Sequence, residues 1–329
     1  MPCIYRNIIQ KQNRMNIGNF ALIGAAGYIA PRHFKAIKET GNQLTAILDK
    51  SDSVGVIDSY FPEAAFFTES ERFDRYLYRC YREKADSKID YISICSPNYL
   101  HDAHIRMALR NGAHAICEKP IVLNPWNLEG LEQIERDTGN TIYHILQLRL
   151  HPAVIELKHL IDNQPDEKIY DIDLTYVTGR GTWYLYSWKS DVEKSGGITT
   201  NIGSHFFDML TYVFGEVTDV KIHYTTPTTV AGFLQLKKAR VRWFLSIEKK
   251  YLPKEIVEQG KTTYRSLIID NKEFEFSEGF TDLHTLSYQN ILSGNGFRIA
   301  DAYPYVSLCH DIRSRNAEGI KGDYHPLLR

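Results

Sequence analysis

Along the first half of the chain, short apolar runs alternate with stretches whose apolar residues recur at helical spacing. Asn19–Gly24 reads as a buried strand entering a glycine turn, and Tyr28–Thr40 as the helix that follows. Gly41 and Asn42 end that helix, and Leu44–Asp49 reads as a second strand. The alternation continues through a weak strand around Phe66 and Phe67, a helix over Glu71–Glu83, a strand over Ile89–Cys95 and a helix over Tyr99–Arg110. A strand over Ala113–Cys117, a helix over Pro125–Thr138 and a strand over Thr141–Leu146 complete it. Repeated strand–helix units of this kind predict a parallel sheet covered by helices on both faces.

The pattern changes after His151. A helix over Ala153–Asp162 leads into a strand-rich stretch that begins near Lys168 and is interrupted by a helix over Thr199–Phe214. Alternating or β-branched runs at Val217–Tyr224, Val230–Leu236, Arg240–Glu248, Ser266–Ile269 and Glu273–Phe276 predict a large mixed or antiparallel sheet. The expected division is therefore a nucleotide-binding domain over residues 15–148 and a second, substrate-binding and oligomerisation domain over 149–329. A late helix over Tyr303–Arg313 is expected to pack back on the first domain.

Composition narrows the class. With 329 residues and 43% hydrophobic content the chain can support two cores. Lys and Arg number 39 against 40 Asp and Glu, a net charge of -1, which gives no global electrostatic footprint for nucleic acid. Cys3, Cys80, Cys95, Cys117 and Cys309 are dispersed without a CxxC pair, as expected of buried thiols in a reducing compartment. Met1–Arg14 has basic residues but no continuous apolar core, so neither a secretory signal nor membrane insertion is expected, and a cytoplasmic location is. Met15 directly precedes the first organised segment and reads as a candidate initiation point.

Two constellations carry chemistry. In Gly24-Ala-Ala-Gly27-Tyr-Ile-Ala30 a strand passes into a helix, where glycines let backbone approach a pyrophosphate and Ala30 permits close helix–strand packing. The turn reads GxxGxxA rather than GxGxxG, and a purely structural turn has the same composition. Asp49 ends the next strand and is suited to an adenosine ribose, favouring NAD over NADP; a strand-end turn residue is its bland reading. Ile94-Cys-Ser-Pro-Asn98 lies at another strand end, where Asn98 can form directional hydrogen bonds.

Glu118-Lys119-Pro120 places Lys119 at the carboxyl edge of the parallel sheet, where an ammonium can oppose charge developing on a substrate oxygen, although an isolated lysine is more often solvated. Asn201 and His205 lie four residues apart on one helix face after a glycine turn. His205 is suited to accept a hydroxyl proton, a buried structural histidine being the alternative. No HxH or HExxH arrangement suggests a metal, and none is expected.

With these motifs in order, the chain resembles the Gfo/Idh/MocA oxidoreductase family over nearly its whole length. Cys117-Glu-Lys-Pro120 through Asn127, Gln147-Leu-Arg-Leu-His-Pro152, and Gly179-Arg-Gly-Thr-Trp-Tyr184 through Leu210 are similar to bacterial UDP-N-acetylglucosaminuronate 3-dehydrogenases. The resemblance implies an α/β chain, with an N-terminal Rossmann domain followed by a mixed α/β domain whose large open, mainly antiparallel sheet supports a homotetramer. It implies NAD bound by Gly24, Gly27, Tyr28, Ile29, Asp49, Ser96, Asn98, Glu118 and Lys119. It also implies a UDP-sugar acid bound by Gln147, Arg149, Arg180, Trp183 and Asn201, with Lys119 and His205 catalytic. The family commonly has aspartate four residues before its histidine, where this chain has Asn201. Asparagine cannot act as a carboxylate base, which raises the importance of Lys119, and the narrower group tends to carry asparagine too. The implied reaction is oxidation of the sugar C3 hydroxyl, with NADH either released or recycled by 2-oxoglutarate, in the synthesis of lipopolysaccharide O-antigen and other surface polysaccharide. Dehydrogenation of a free sugar or cyclic polyol, or a silent NAD and nucleotide-sugar sensor, are the alternatives.

Overall fold

The computed structural model of the chain describes residues 17–83, 88–275 and 282–329. Cys3, Met15 and Phe276, which figure in the expectations above, lie outside the described residues.

The first half alternates strand and helix. β1 (Asn19–Ile23) is followed by α1 (Ala30–Glu39), β2 (Gln43–Leu48), β3 (Ala65–Phe67), α2 (Ser70–Glu83), β4 (Tyr91–Ile94), α3 (His101–Arg110), β5 (His114–Cys117), α4 (Pro125–Thr138) and β6 (Ile142–His144). The strands pair in parallel in the order β3-β2-β1-β4-β5-β6. Phe20, Ala21, Leu22 and Ile23 are all buried, because helices cover both faces of β1. The order reverses between β1 and β4, and a crevice opens there beyond the carboxyl ends of the two strands, which is where doubly wound sheets receive ligands.

After α5 (Pro152–Asp162) the chain builds a second sheet from β7 (Tyr170–Thr178). Two short helices, α6 (Trp183–Tyr186) and α7 (Val192–Ser195), precede the long α8 (Gly197–Phe214). Then come β8 (Val217–Thr225), β9 (Thr229–Leu236), β10 (Ala239–Ser246), α9 (Lys254–Glu258), β11 (Thr263–Ile269) and β12 (Lys272–Glu273). The order is β12-β11-β7-β10-β9-β8, and β7 pairs parallel with β10 while the other pairings are antiparallel. β8, β9 and β10 follow one another as antiparallel hairpins, and the one parallel pair joins β7 to β10, strands separated in the chain by α6, α7, α8, β8 and β9.

α8 is apolar nearly all round and buried, packing against β9 and β10 on one side and α5 and α11 (Ile299–Ser314) on others. α10 (Leu283–Leu292) runs back to α1, and α11 also touches α4 and β6. No helix among the described residues is long and apolar enough to cross a membrane.

Candidate active site

The site begins at the turn after β1. Gly24 has φ +97°, and a Cβ there would lie 2.6 Å from the Cys95 carbonyl carbon and oxygen, so the glycine lets two strand ends meet. The Gly27 amide donates to the Gly24 carbonyl at 3.1 Å, and the Ala30 amide to the Gly27 carbonyl at 3.1 Å, closing the turn onto α1. No side chain caps α1, so its amino end is suited to an anion. Ile29 stands at the cap position and Tyr28 is 87% exposed beside it. Asp49 accepts from the Ala26 amide at 2.8 Å and from the Ser51 amide at 2.9 Å, which pins the carboxylate against the glycine turn. These features fit a dinucleotide: a cradle a side chain would fill, an uncapped helix start and an acid at the end of β2.

On the other side of the crevice, Ser96 Oγ pairs with His104 Nδ1 at 2.8 Å. Asn98 is buried and donates to the Ser195 carbonyl at 2.9 Å, joining the β4 loop to the glycine turn that opens α8. His101 lies with Nε2 2.8 Å from the Ser96 carbonyl and Nδ1 2.7 Å from that of Pro120, bridging the loops after β4 and β5. No sequence motif pointed to this residue.

Glu118 departs from expectation. As a cofactor ligand its carboxylate would face the crevice, but Oε1 accepts from His33 Nε2 at 3.0 Å and His284 Nε2 at 2.9 Å, and Oε2 from the Lys119 amide at 3.2 Å. The side chain is buried and its oxygens are occupied, so it supports Lys119 from behind. Burial alone would raise its pKa; the hydrogen bonds from His284 and His33 reverse the sign and hold it well below the usual carboxylate range. His33 Nδ1 contacts Tyr288 Oη at 2.7 Å, which contacts Ser93 Oγ at 2.6 Å. The ligand-type atoms of His33, Glu118 and His284 lie within 4.8 Å of one another, and hydrogen bonding accounts for their arrangement.

Lys119 Nζ donates to the Asn201 carbonyl at 3.2 Å, which brings the edge of the first sheet to α8. Burial lowers the Lys119 pKa, and the positive charge of Lys189 lowers it further. One turn along α8, His205 Nε2 is 3.3 Å from Gln147 Nε2, and the buried Gln147 Oε1 has no partner in the protein. Burial, then the charge of Lys119, holds the His205 pKa well below its ordinary value, so the ring is neutral and a correspondingly weaker base. The Asn201 side chain donates to Tyr184 Oη at 2.7 Å. Lys119, Gln147, Asn201 and His205 therefore converge.

Arg149 does not join them and is corrected as a substrate ligand. Its Nε and Nη2 hold Asp208, the latter at 2.6 Å, while Nη1 holds Asp301 Oδ1 at 2.8 Å and Nη2 the Asp301 carbonyl at 3.0 Å. A guanidinium so occupied, and buried, has no fork left for a carboxylate or phosphate. Arg180 is exposed, and no ion pair is formed by it among the described residues. Trp183 is 52% exposed, its ring edge-on to Tyr184 at 5.8 Å.

Comparison with known proteins identifies the family and the fold. Residues 18–145 match the oxidoreductase family model described as an NAD-binding Rossmann fold, and residues 158–253 match that of the C-terminal alpha/beta domain. The WlbA (WbpB) dehydrogenase from Thermus thermophilus, crystallised with NAD and alpha-ketoglutarate, is 49% identical; the similarity covers 94% of this chain and 100% of that one, with a TM-score of 0.91. A second structure of that enzyme, with NAD and UDP-GlcNAcA, is 48% identical over the same shares, with a TM-score of 0.90. Among curated proteins, the D-glucoside 3-dehydrogenase of Escherichia coli (strain K12) is 29% identical over 39% of this chain and 36% of its own length. The inositol 2-dehydrogenase of Rhizobium meliloti (strain 1021) is 27% identical over 60% and 55%. The chain thus aligns with only part of the length of these curated relatives.

Proposed function

Since this chain belongs to the Gfo/Idh/MocA oxidoreductase family and carries its NAD-binding Rossmann domain, we propose that it oxidises the C3 hydroxyl of UDP-N-acetylglucosaminuronate to a 3-keto nucleotide sugar. The observation that carries this reading is the convergence of Lys119 with Asn201, and of Gln147 with His205, at the carboxyl edge of the parallel sheet. NAD+, when bound at the turn after β1, supplies the acceptor for the hydride leaving C3. Lys119 holds the hydroxyl oxygen, and the neutral His205 or Lys119 takes its proton as the carbonyl forms. Gln147 Oε1, an acceptor without a partner, is placed to receive a donor from the substrate. Gly24, Gly27, Tyr28, Ile29 and Asp49 hold the adenosine and pyrophosphate end, and Ser96 and Asn98 the nicotinamide side.

The reduced cofactor then gives its hydride to the keto carbon of 2-oxoglutarate, which with a proton becomes 2-hydroxyglutarate and restores NAD+. The ligands of the Thermus thermophilus enzyme support this cycle. A keto group at C3 is the substrate an aminotransferase requires, which places the enzyme before amino-sugar formation for surface polysaccharide in the cytoplasm. Residues 15–148 serve the cofactor and 149–329 the sugar, with the second sheet joining copies into a homotetramer.

The test is incubation of the purified protein with NAD+, 2-oxoglutarate and UDP-N-acetylglucosaminuronate, followed by mass spectrometry and NMR of the sugar. A 3-keto sugar with an equal amount of 2-hydroxyglutarate is expected. Turnover of free inositol or glucose in its place, or saturated binding with no oxidation, rejects the reading.

A further inference from the structure

Two cations on the wall of the site formed by the segment between β7 and α8, Arg180 and Lys189, form no ion pair among the described residues, whereas Lys119 has the charge of Glu118 close by. Lys189 lies between α6 and α7, half-buried, its Nζ 5.6 Å from the Trp183 ring and 5.5 Å from the Trp188 ring. It makes no ion pair among the described residues, and the acid two positions on, Asp191, is taken by Lys194 at 3.0 Å. Contacts connect it to the reacting end: Trp183 packs on Tyr184, Tyr184 Oη accepts from Asn201, and the Asn201 carbonyl accepts from Lys119. Arg180, on the same wall, is likewise without an ion-pair partner among the described residues. Burial and the charge of Arg180 both lower the Lys189 pKa, and Lys189 in turn lowers that of Lys119.

Holding a half-buried ammonium near the charge of Arg180, with no carboxylate bonded to it among the described residues, costs free energy unless an anion joins them. A lysine fully exposed to bulk water would not carry that cost; Lys189 is half-buried, with its ammonium near two indoles. NAD phosphates belong at the start of α1, where the glycine turn and the uncapped helix end would hold them. The substrate carries two anions, a diphosphate and a carboxylate, and the contacts from Lys189 through Trp183, Tyr184 and Asn201 to Lys119 lead to its sugar end, where the carboxylate lies.

We propose that Lys189, assisted by Arg180, binds the carboxylate of the acidic substrate and so determines the preference for a sugar acid over the neutral sugar. The inference rests on the dehydrogenase reading above and adds the residue that reads the acid. The same ammonium receives a carboxylate of the 2-oxo acid in the second half-reaction, which is why one pocket accepts two otherwise unlike molecules.

The experiment measures dissociation constants of UDP-N-acetylglucosaminuronate, of the uncharged UDP-N-acetylglucosamine and of 2-oxoglutarate on the NAD-loaded protein, as wild type, Lys189→Met and Lys189→Arg. Loss of a charge-assisted contact predicts a weakening of about 10- to 100-fold for the two acids in Lys189→Met. The neutral nucleotide sugar is expected to change by less than about threefold, and Lys189→Arg to restore most of the acid affinity. Equal weakening of acid and neutral sugars marks a structural residue and overturns the proposal, as does unchanged acid binding. Wild-type turnover is scored separately: if it is absent, the dehydrogenase reading fails; if it is present while Lys189→Met binds acids normally, only the assignment of Lys189 fails.

Discussion

At the scale of single residues, desolvation sets the two groups proposed to handle the proton. Lys119 is buried beside another cation, so its amine is released at lower pH than an exposed lysine's. Replacing Lys119 by methionine removes the group on the reacting oxygen while leaving the glycine turn untouched. Single-turnover hydride transfer, followed by NADH absorbance, is expected to slow about 100-fold or more, with NAD affinity close to wild type; near-normal turnover would reject Lys119 as the oxygen ligand. His205 gives a pH prediction. Its folded pKa is depressed, so the ring stays neutral through the range in which a free histidine protonates. The oxidation rate should therefore pass through about pH 6.5 without an inflection and fall only in more acid solution. A titration of the rate centred near the ordinary histidine value, and absent from His205→Asn, would show that the ring is not desolvated in the working enzyme.

At the scale of elements, α8 is the piece whose placement matters most, and Asp208 with Arg149 fixes it to the segment after β6. Asp208→Asn leaves the buried guanidinium with Asp301 as its remaining carboxylate partner, a loss of about 1–3 kcal/mol by the cost of weakening a buried charged hydrogen bond, read as a drop in melting temperature. Loss of acid-sugar affinity without loss of stability would instead return Arg149 to the substrate. The same elements show how far the sequence could be read. β1, β2, β4 and β5 and the helices between them announce themselves because a strand buried on both faces must be an unbroken apolar run. Lys119, Asn201 and His205 could be located because they sit at strand ends and at helical spacing. α10 could not: its buried face carries His284, Thr285 and Ser287, so polar residues occupy the positions where an apolar stripe would mark a helix. His284 and Tyr288 meet Glu118 and His33 only through tertiary contact. For the same reason the sequence assigned Glu118 to the cofactor and Arg149 to the substrate, since residue type reports chemistry but not which partner has already claimed it.

At the scale of the whole molecule, stability should depend on acidity through histidines that fold up neutral. Burial holds His144 and His325 at about 4, against 6.5 for a free side chain. The unfolded chain then binds more protons than the native one between those values, so stability is complete above about pH 6.5 and declines as pH falls toward 4. The buried His144 alone contributes at most about 3 kcal/mol. Melting temperatures measured across this range should fall on acidification, and His144→Asn should flatten the slope; an unchanged slope would assign the effect to other groups.

The hydrogen bond from Asn98 to the Ser195 carbonyl ties the loop after β4 to the turn from which α8 departs. Two occupants that each favour the same drawn-together arrangement help one another, and thermodynamics makes that help mutual. Whatever factor the sugar acid adds to the retention of the dinucleotide, the dinucleotide must add to the retention of the sugar acid. Asn98→Ala should shrink both factors together, which dissociation constants of each ligand measured with and without the other would show.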